Sequence, residues 1–144
     1  MQFCLYRSEC VFCPFDLQDL RILQTALSEN SKNRLTGFLH RNKTHYFQYL
    51  EGPSTPLCET FEKIRCDRRH INLHVLLEGR TLSRRFSEWS MGYSQEQMTA
   101  PFSRLTEDST AETVIAFLER EAFKQKAFLD SPLEMKRRNG TFLH

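Results

Sequence analysis

Gln48 is the polar residue that the run Tyr46-Phe47-Gln48-Tyr49-Leu50 has to accommodate. A primary amide carries two donors and two acceptor sites, and leaving them unpaired in a dry interior costs roughly 1–3 kcal/mol. A polar partner is therefore expected to meet it. Cys10 and Cys13 form a CxxC between a strand pattern and a helix pattern, where a helix N-terminus favours a thiolate and permits redox chemistry. A thioredoxin-like site, however, places that motif inside the first turn of the helix opposite a cis-proline loop, and the later prolines of this chain do not suit it. As a zinc site the pair supplies too few ligands, and His70 and His74 fall across a helix-to-strand junction, not on one helical face. The run Arg65-Cys66-Asp67-Arg68-Arg69-His70 could meet a phosphate, but cations at a helix end also suit its dipole. No glycine-rich phosphate loop, Ser-His-Asp spacing or helix-spaced carboxylate pair is found, so an ordinary enzyme is not expected.

Alternation over Leu35–Arg41 and Thr44–Leu50, around a turn with Asn42 and Lys43, predicts a β-hairpin. Its second strand points Tyr46, Gln48 and Leu50 to one face and His45, Phe47 and Tyr49 to the other. Residues 2–8 alternate as a first strand, with Gln2, Cys4 and Tyr6 on one face. Pro14 and Asp16 introduce a helix whose apolar stripe is Leu17, Leu20, Leu23 and Leu27. A second helix is expected with Thr55 as N-cap, Pro56 at its first position and Leu57, Phe61 and Ile64 inward, ending near Asp67. Leu73–Leu77 reads as a fourth strand closed by Gly79. Glu88–Tyr93 reads as a fifth, with Trp89 and Met91 on one face. This β-α-β-β-α-β-β order predicts an α+β, ferredoxin-like sheet with both helices on one face. From about Ala100, a capping box of Ser109 and Glu112 and the stripe Val114, Ile115, Leu118, Ala122 and Phe123 predict a helix covering the other face. A shorter helical piece with Ala127 to Leu129 follows before Asp130, Ser131 and Pro132.

The chain of 144 residues, 40% hydrophobic, suffices for one domain, read here as residues 1–96, with a C-terminal helical cap over 97–144. Its 20 basic and 18 acidic residues are interspersed, giving a net charge of +2, so no broad field exists for nucleic acid. Lys136, Arg137 and Arg138 read as a solvated tail. No apolar run approaches the roughly 20 residues of a membrane span. The N-terminus MQFCLYRSEC lacks a charged region before a hydrophobic one, and a cytoplasmic location is expected. The five cysteines are then expected as reduced thiols, with Cys4, Cys58 and Cys66 as small apolar fillers.

Over roughly residues 2–94 the sequence resembles the BLUF family, the sensors of blue light using FAD. The resemblance is carried by Tyr6, Asn30, Leu35-Thr36-Gly37, Phe47 to Pro53, Ile64 to His70, and Arg84 to Gly92 with Phe86, Trp89 and Met91. It implies a non-covalent FAD between the two helices. Tyr6 would give an electron and a proton to the excited flavin, and Gln48 would bridge the Tyr6 hydroxyl and the flavin edge. Asn30 would bond the polar edge of the ring, with Lys63 and Asp67 near the cofactor and Arg69 and His70 in support. Trp89 and Met91 would report the change. A glutamine offers a donor at one end of its amide and an acceptor at the other, so rotating or tautomerising it exchanges what its neighbours receive.

Two positions depart from the family pattern. Glu29 precedes Asn30 where many members have a second asparagine, and Arg34 stands where glycine is usual. What the resemblance implies overall is a photosensor, with output through altered association in a homo-oligomer or with a regulatory protein. The rival expectations are a thiol oxidoreductase built on Cys10 and Cys13, and a flavin-free ferredoxin-like interaction module.

Overall fold

The structure, a computed structural model, describes residues 1–12 and 17–130. Five strands and three helices follow in the order β1 (Gln2–Cys10), α1 (Leu17–Asn33), β2 (Thr36–Arg41), β3 (His45–Gly52), α2 (Ser54–Arg65), β4 (His70–Arg80), β5 (Gly92–Gln95) and α3 (Ala111–Leu129). The sheet order is β4-β1-β3-β2-β5, antiparallel except for the β2–β5 pair. Tyr6 lies directly opposite Gln48 across the β1–β3 ladder.

Alternation along the central strands divides the core into two layers. On one face Leu39, Tyr46, Leu50 and Met91 pack with Leu57 of α2 and with Ile22, Leu23 and Ala26 of α1. On the other, Leu5, Phe38, Phe47 and Tyr49 pack with Val114, Ile115, Leu118 and Ala122 of α3. The ferredoxin-like arrangement and the covering helix are both present. The cap is one continuous helix through Leu129 and not two pieces.

Several local expectations are corrected. Of the leucine stripe of α1 only Leu23 faces inward: Leu17, Leu20 and Leu27 are exposed, and the buried residues are Asp19 and Asn30. The inward face is rotated about a quarter-turn from the leucines, toward Ile22 and Ala26, with Asp19 and Asn30 making polar contacts on the same side. Helix α2 starts at Ser54 with Pro53 at the N-cap and no side-chain cap, so Thr55 lies inside the helix. In α3 the cap is Thr110, which accepts the Thr113 N–H at 3.2 Å, while Ser109 accepts the Thr106 N–H at 2.9 Å and closes the preceding turn. Phe123 is exposed, as are Cys58 and Cys66, which therefore fill no core. Cys13, Pro14, Asp16, Ser131, Pro132 and the Lys136–Arg138 cluster lie outside the described residues.

The fifth strand begins at Gly92, not at Glu88. Residues 86–89 instead form a turn, with the Trp89 N–H on the Phe86 carbonyl at 3.0 Å, and the Gly37 N–H reaches the Trp89 carbonyl at 3.0 Å. Gly92 is required at the join, since a Cβ there would stand 2.3 Å from the Phe38 ring. Trp89 and Met91 consequently do not share a face. Trp89 packs edge-on to Phe38 in the α3 layer, and Met91 is buried in the layer beneath α1 and α2.

Buried Glu51, at the end of β3, organises the approach to that turn. Its carboxylate accepts the Thr36 hydroxyl at 2.9 Å and the backbone N–H groups of Arg85 and Phe86 at 2.8 Å each. A charged acceptor for otherwise unpaired amides satisfies both partners in a low-dielectric site.

Candidate functional site

Between α1 and α2 a cleft opens onto the face of β1, β3 and β2, enclosing about 750 Å³ with its mouth included. Its walls are mostly apolar, with Ile22 and Ala26 from α1, Ile64 from α2 and Leu39 from β2; polar groups stand around them. Such a cleft suits a largely apolar ligand with hydrogen-bonding edges. Tyr6, Asn30, Gln48, Lys63, Asp67, Arg69 and His70 all line it.

At the floor, the buried Tyr6 hydroxyl donates to Gln48 Oε1, and Gln48 Nε2 donates to Met91 Sδ at 3.4 Å. A thioether is a weak acceptor, so one end of the amide is well satisfied and the other is not. Burial first, then the Cys4 and Asp67 charges, push the Tyr6 phenol far above its ordinary range. Tyr6 therefore stands in the cleft as a neutral phenol that donates its hydrogen bond to Gln48.

Asn30, at the end of α1, donates Nδ2 to the Ser90 carbonyl at 2.8 Å, tying the cleft to the segment between Trp89 and Met91. His70 has both ring nitrogens engaged, Nε2 with the Ile64 carbonyl and Nδ1 with Ser8 Oγ, each at 2.6 Å. Its role is thus to brace β1 against the end of α2. The Arg69 guanidinium forks onto Asp67, with Nη2 to Oδ2 at 2.6 Å and Nε to Oδ1 at 3.0 Å. That bond, above all, holds the Asp67 carboxyl below its usual range. Lys63 and Glu29 face each other at 3.8 Å across the mouth, from α2 and α1.

Reading the sequence missed a neighbouring group. Tyr46 lines the cleft beside Gln48, its hydroxyl donates to Asp19 Oδ1 at 2.5 Å, and the fully buried Arg41 reaches the same carboxylate oxygen at 2.6 Å. The signal available was an arginine at the end of β2 in a hairpin expected to be buried. Trp89, by contrast, does not line the cleft. Cys10 is half-buried at the end of β1, and burial raises its thiol to about 12, which disfavours the thiolate that redox catalysis needs. Among the described residues no group of three or more His, Cys, Asp or Glu is placed to hold a metal, and no helix is long and apolar enough to cross a membrane.

The family model for sensors of blue-light using FAD matches residues 1–92. The chain belongs to the BLUF family. Among solved BLUF structures, the dark state of BlrB is 25% identical with a TM-score of 0.72, over 85% of this chain and 96% of that one. The photo-activated state of BlsA is 28% identical with a TM-score of 0.70, over 85% and 95% respectively. The photoactivated adenylate cyclase subunit beta of Euglena gracilis is 28% identical over 103 residues, which make up 71% of this chain but 12% of that protein. The chain thus spans about an eighth of this curated relative. As a BLUF domain it is a flavin-binding blue-light photosensory module with the family's ferredoxin-like fold.

Proposed function

We propose that the cleft holds FAD non-covalently and that blue light switches the Gln48 hydrogen-bond network. The observation that carries this reading is the buried chain Tyr6 hydroxyl to Gln48 Oε1 and Gln48 Nε2 to Met91 Sδ at the cleft floor. The fit to a flavin rests on the same floor. A mostly apolar cleft ends on an amide whose nitrogen has only a thioether partner, so a better acceptor is wanted there. Gln48 and Asn30 would meet the ring's polar edge, with Lys63 and the Asp67–Arg69 pair at the mouth and His70 bracing the wall.

Bound flavin supplies the chromophore and, once excited, the oxidant. Tyr6 then gives up an electron and its hydroxyl proton, which frees Gln48 from the bond that fixes its orientation. The amide rotates or tautomerises, and return of the electron and proton traps the exchanged pattern with no net redox product. Met91 loses or changes its contact with Nε2, and the change passes along the segment that Asn30 also holds. From β5 it reaches α3 through the Gln125 side chain, which donates to the Tyr93 carbonyl, and through His40, which bonds Ser94 Oγ at 2.6 Å and packs edge-on against Phe117. In this reading residues 1–96 sense, residues 97–144 transmit, and the output is altered association with a second copy or a regulatory protein. Another neighbour, BlrP1 from Klebsiella pneumoniae, is described with FMN and cyclic diGMP; for this chain we assign FAD.

The test is the visible spectrum in darkness and after blue light, with the released flavin identified by chromatography. Oxidised FAD and a small reversible red shift, lost in Gln48→Leu, are expected. A colourless chain that cannot be reconstituted with FAD sinks the reading.

A further inference from the structure

Two tyrosines line the cleft, and they differ in what receives the phenol proton. The Tyr6 hydroxyl is bonded to an amide oxygen, the Tyr46 hydroxyl to the carboxylate of Asp19 at 2.5 Å. A carboxylate is much the stronger base, and a phenol gives up an electron more easily when its proton has a base already in place. Asp19 is 6% exposed, and although Oδ1 also accepts Arg41 Nη1, Oδ2 is buried with no partner. The carboxylate therefore has unused proton-accepting capacity. Arg41, with none of its side chain exposed, also touches the Tyr46 hydroxyl at 3.2 Å and fixes the pair in place.

We propose that Tyr46, with Asp19 as its proton acceptor, is a second electron donor in this cleft, one that returns the protein to darkness without switching it. The proposal rests on the photosensor reading above. The electron leaves the Tyr46 phenol for the light-excited, oxidised flavin, and the O–H bond breaks as its proton passes to Asp19, leaving a neutral tyrosyl and an aspartic acid. Both transfers then reverse. Tyr46 has no hydrogen bond to Gln48, so this excursion leaves the amide unturned, whereas oxidation of Tyr6 breaks the bond that holds it. Each photon is thus divided between a route that turns Gln48 and one that does not, and the Tyr46–Asp19 pair sets the fraction lost.

The test compares flavin fluorescence lifetime, yield of the red-shifted form and transient infrared absorption in four proteins with FAD bound. Tyr46→Phe removes only the hydroxyl; it is expected to lengthen the lifetime and raise the yield. Tyr6→Phe is expected to lose the red shift while its fluorescence stays quenched, and Tyr6→Phe/Tyr46→Phe to lose that quenching. The carbonyl band of protonated Asp19 is expected to appear transiently in wild type and Tyr6→Phe and to vanish in both Tyr46 variants. An unchanged lifetime on adding Tyr46→Phe to Tyr6→Phe, or a carboxylic-acid band that survives it, overturns the proposal. A red shift retained in Tyr6→Phe overturns instead the assignment of Tyr6 as switching donor, and the lifetime comparison still decides Tyr46.

Discussion

Met91 accepts a hydrogen bond from Gln48 Nε2 at 3.4 Å, while Trp89, two places earlier, packs at 6.2 Å from the Phe38 ring on the opposite face of the sheet. The turn over residues 86–89 separates them, because the Trp89 carbonyl must reach the Gly37 N–H before β5 begins. Only one of the two side chains can therefore feel a change in Gln48 directly.

Met91→Leu keeps the volume but removes the acceptor. A hydrogen bond of this kind contributes about 0.5–1 kcal/mol net, which corresponds to a change of about two- to five-fold in a rate that depends on it. Dark recovery of the red-shifted form should change by that factor in Met91→Leu and stay near wild type in Trp89→Phe. Recovery followed at a single visible wavelength checks both; an equal response from Trp89→Phe would mean that the two side chains exchange places.

Arg34 has φ of 57°, in the left-handed region that a side chain disfavours by roughly 1–2 kcal/mol. It ends α1, and its carbonyl accepts Arg84 Nη2 at 2.7 Å, so the backbone is held there. Glycine relieves the strain but adds roughly 0.5–1 kcal/mol of unfolded-state entropy. Arg34→Gly should thus stabilise by about 0.5–1 kcal/mol, raising the melting temperature by a few degrees with the visible spectrum unchanged. Thermal unfolding followed by circular dichroism measures it.

Glu51 is fully buried, with its carboxylate on two backbone N–H groups and a hydroxyl. Glu51→Ala strands those donors at a cost of about 1–3 kcal/mol each where water cannot reach them. Chemical denaturation should show a loss of at least about 2 kcal/mol, and the loop that carries Phe86 should exchange its amide hydrogens faster.

What was legible in the sequence follows from which forces leave a local trace. The alternation of His45 to Gly52 assigned both faces of β3 correctly, because one face meets α2 and the other α3. Helix α1 was placed but turned wrongly. Its inward face carries Ile22, Leu23 and Ala26 and is fixed near its two ends by Asp19 reaching Arg41 and Asn30 reaching Ser90, contacts that span 22 and 60 residues and leave no local trace. The same holds for β5, whose start is fixed by a hydrogen bond to Gly37 on another strand. The residues around the cleft came from the family resemblance. The Tyr46–Asp19–Arg41 group has no such precedent in the motif and became visible only when the strands and α1 were brought together.

Glu29 and Lys63 face each other at 3.8 Å across the mouth of the cleft, with 38% and 73% of their side chains exposed. An ion pair so open to solvent contributes little to stability. The Glu29 carboxylate lines the cleft proposed to hold FAD, where a negative charge would oppose a flavin carbonyl edge. Glu29→Asn removes that negative charge and supplies a donor; the photocycle should persist and the flavin should bind more tightly. Titration of the apo-protein with FAD, followed by fluorescence, measures the affinity, and weaker binding would show that Glu29 makes a favourable contact.

His40 links the sheet to α3, and its burial, partly countered by Glu121, holds its imidazole down from 6.5 to about 4. The groups facing it are Ser94 from β5, Phe47 from the neighbouring strand and Phe117 and Glu121 from α3. Because the folded state favours the neutral ring, His40 stabilises the fold above the unfolded value. That contribution is lost as pH falls from about 6.5 towards about 4. A shift of this size corresponds to roughly 3 kcal/mol across the window. The Asp67 carboxyl, depressed by Arg69, gives up its own contribution only at lower pH, as its folded-state value is crossed, so the two limbs separate. Stability measured by chemical denaturation between pH 7 and pH 4.5 should fall in wild type and stay flatter in His40→Gln. Since His40 also bonds Ser94 on β5, the amide hydrogens of α3 should lose protection over the same pH range in wild type.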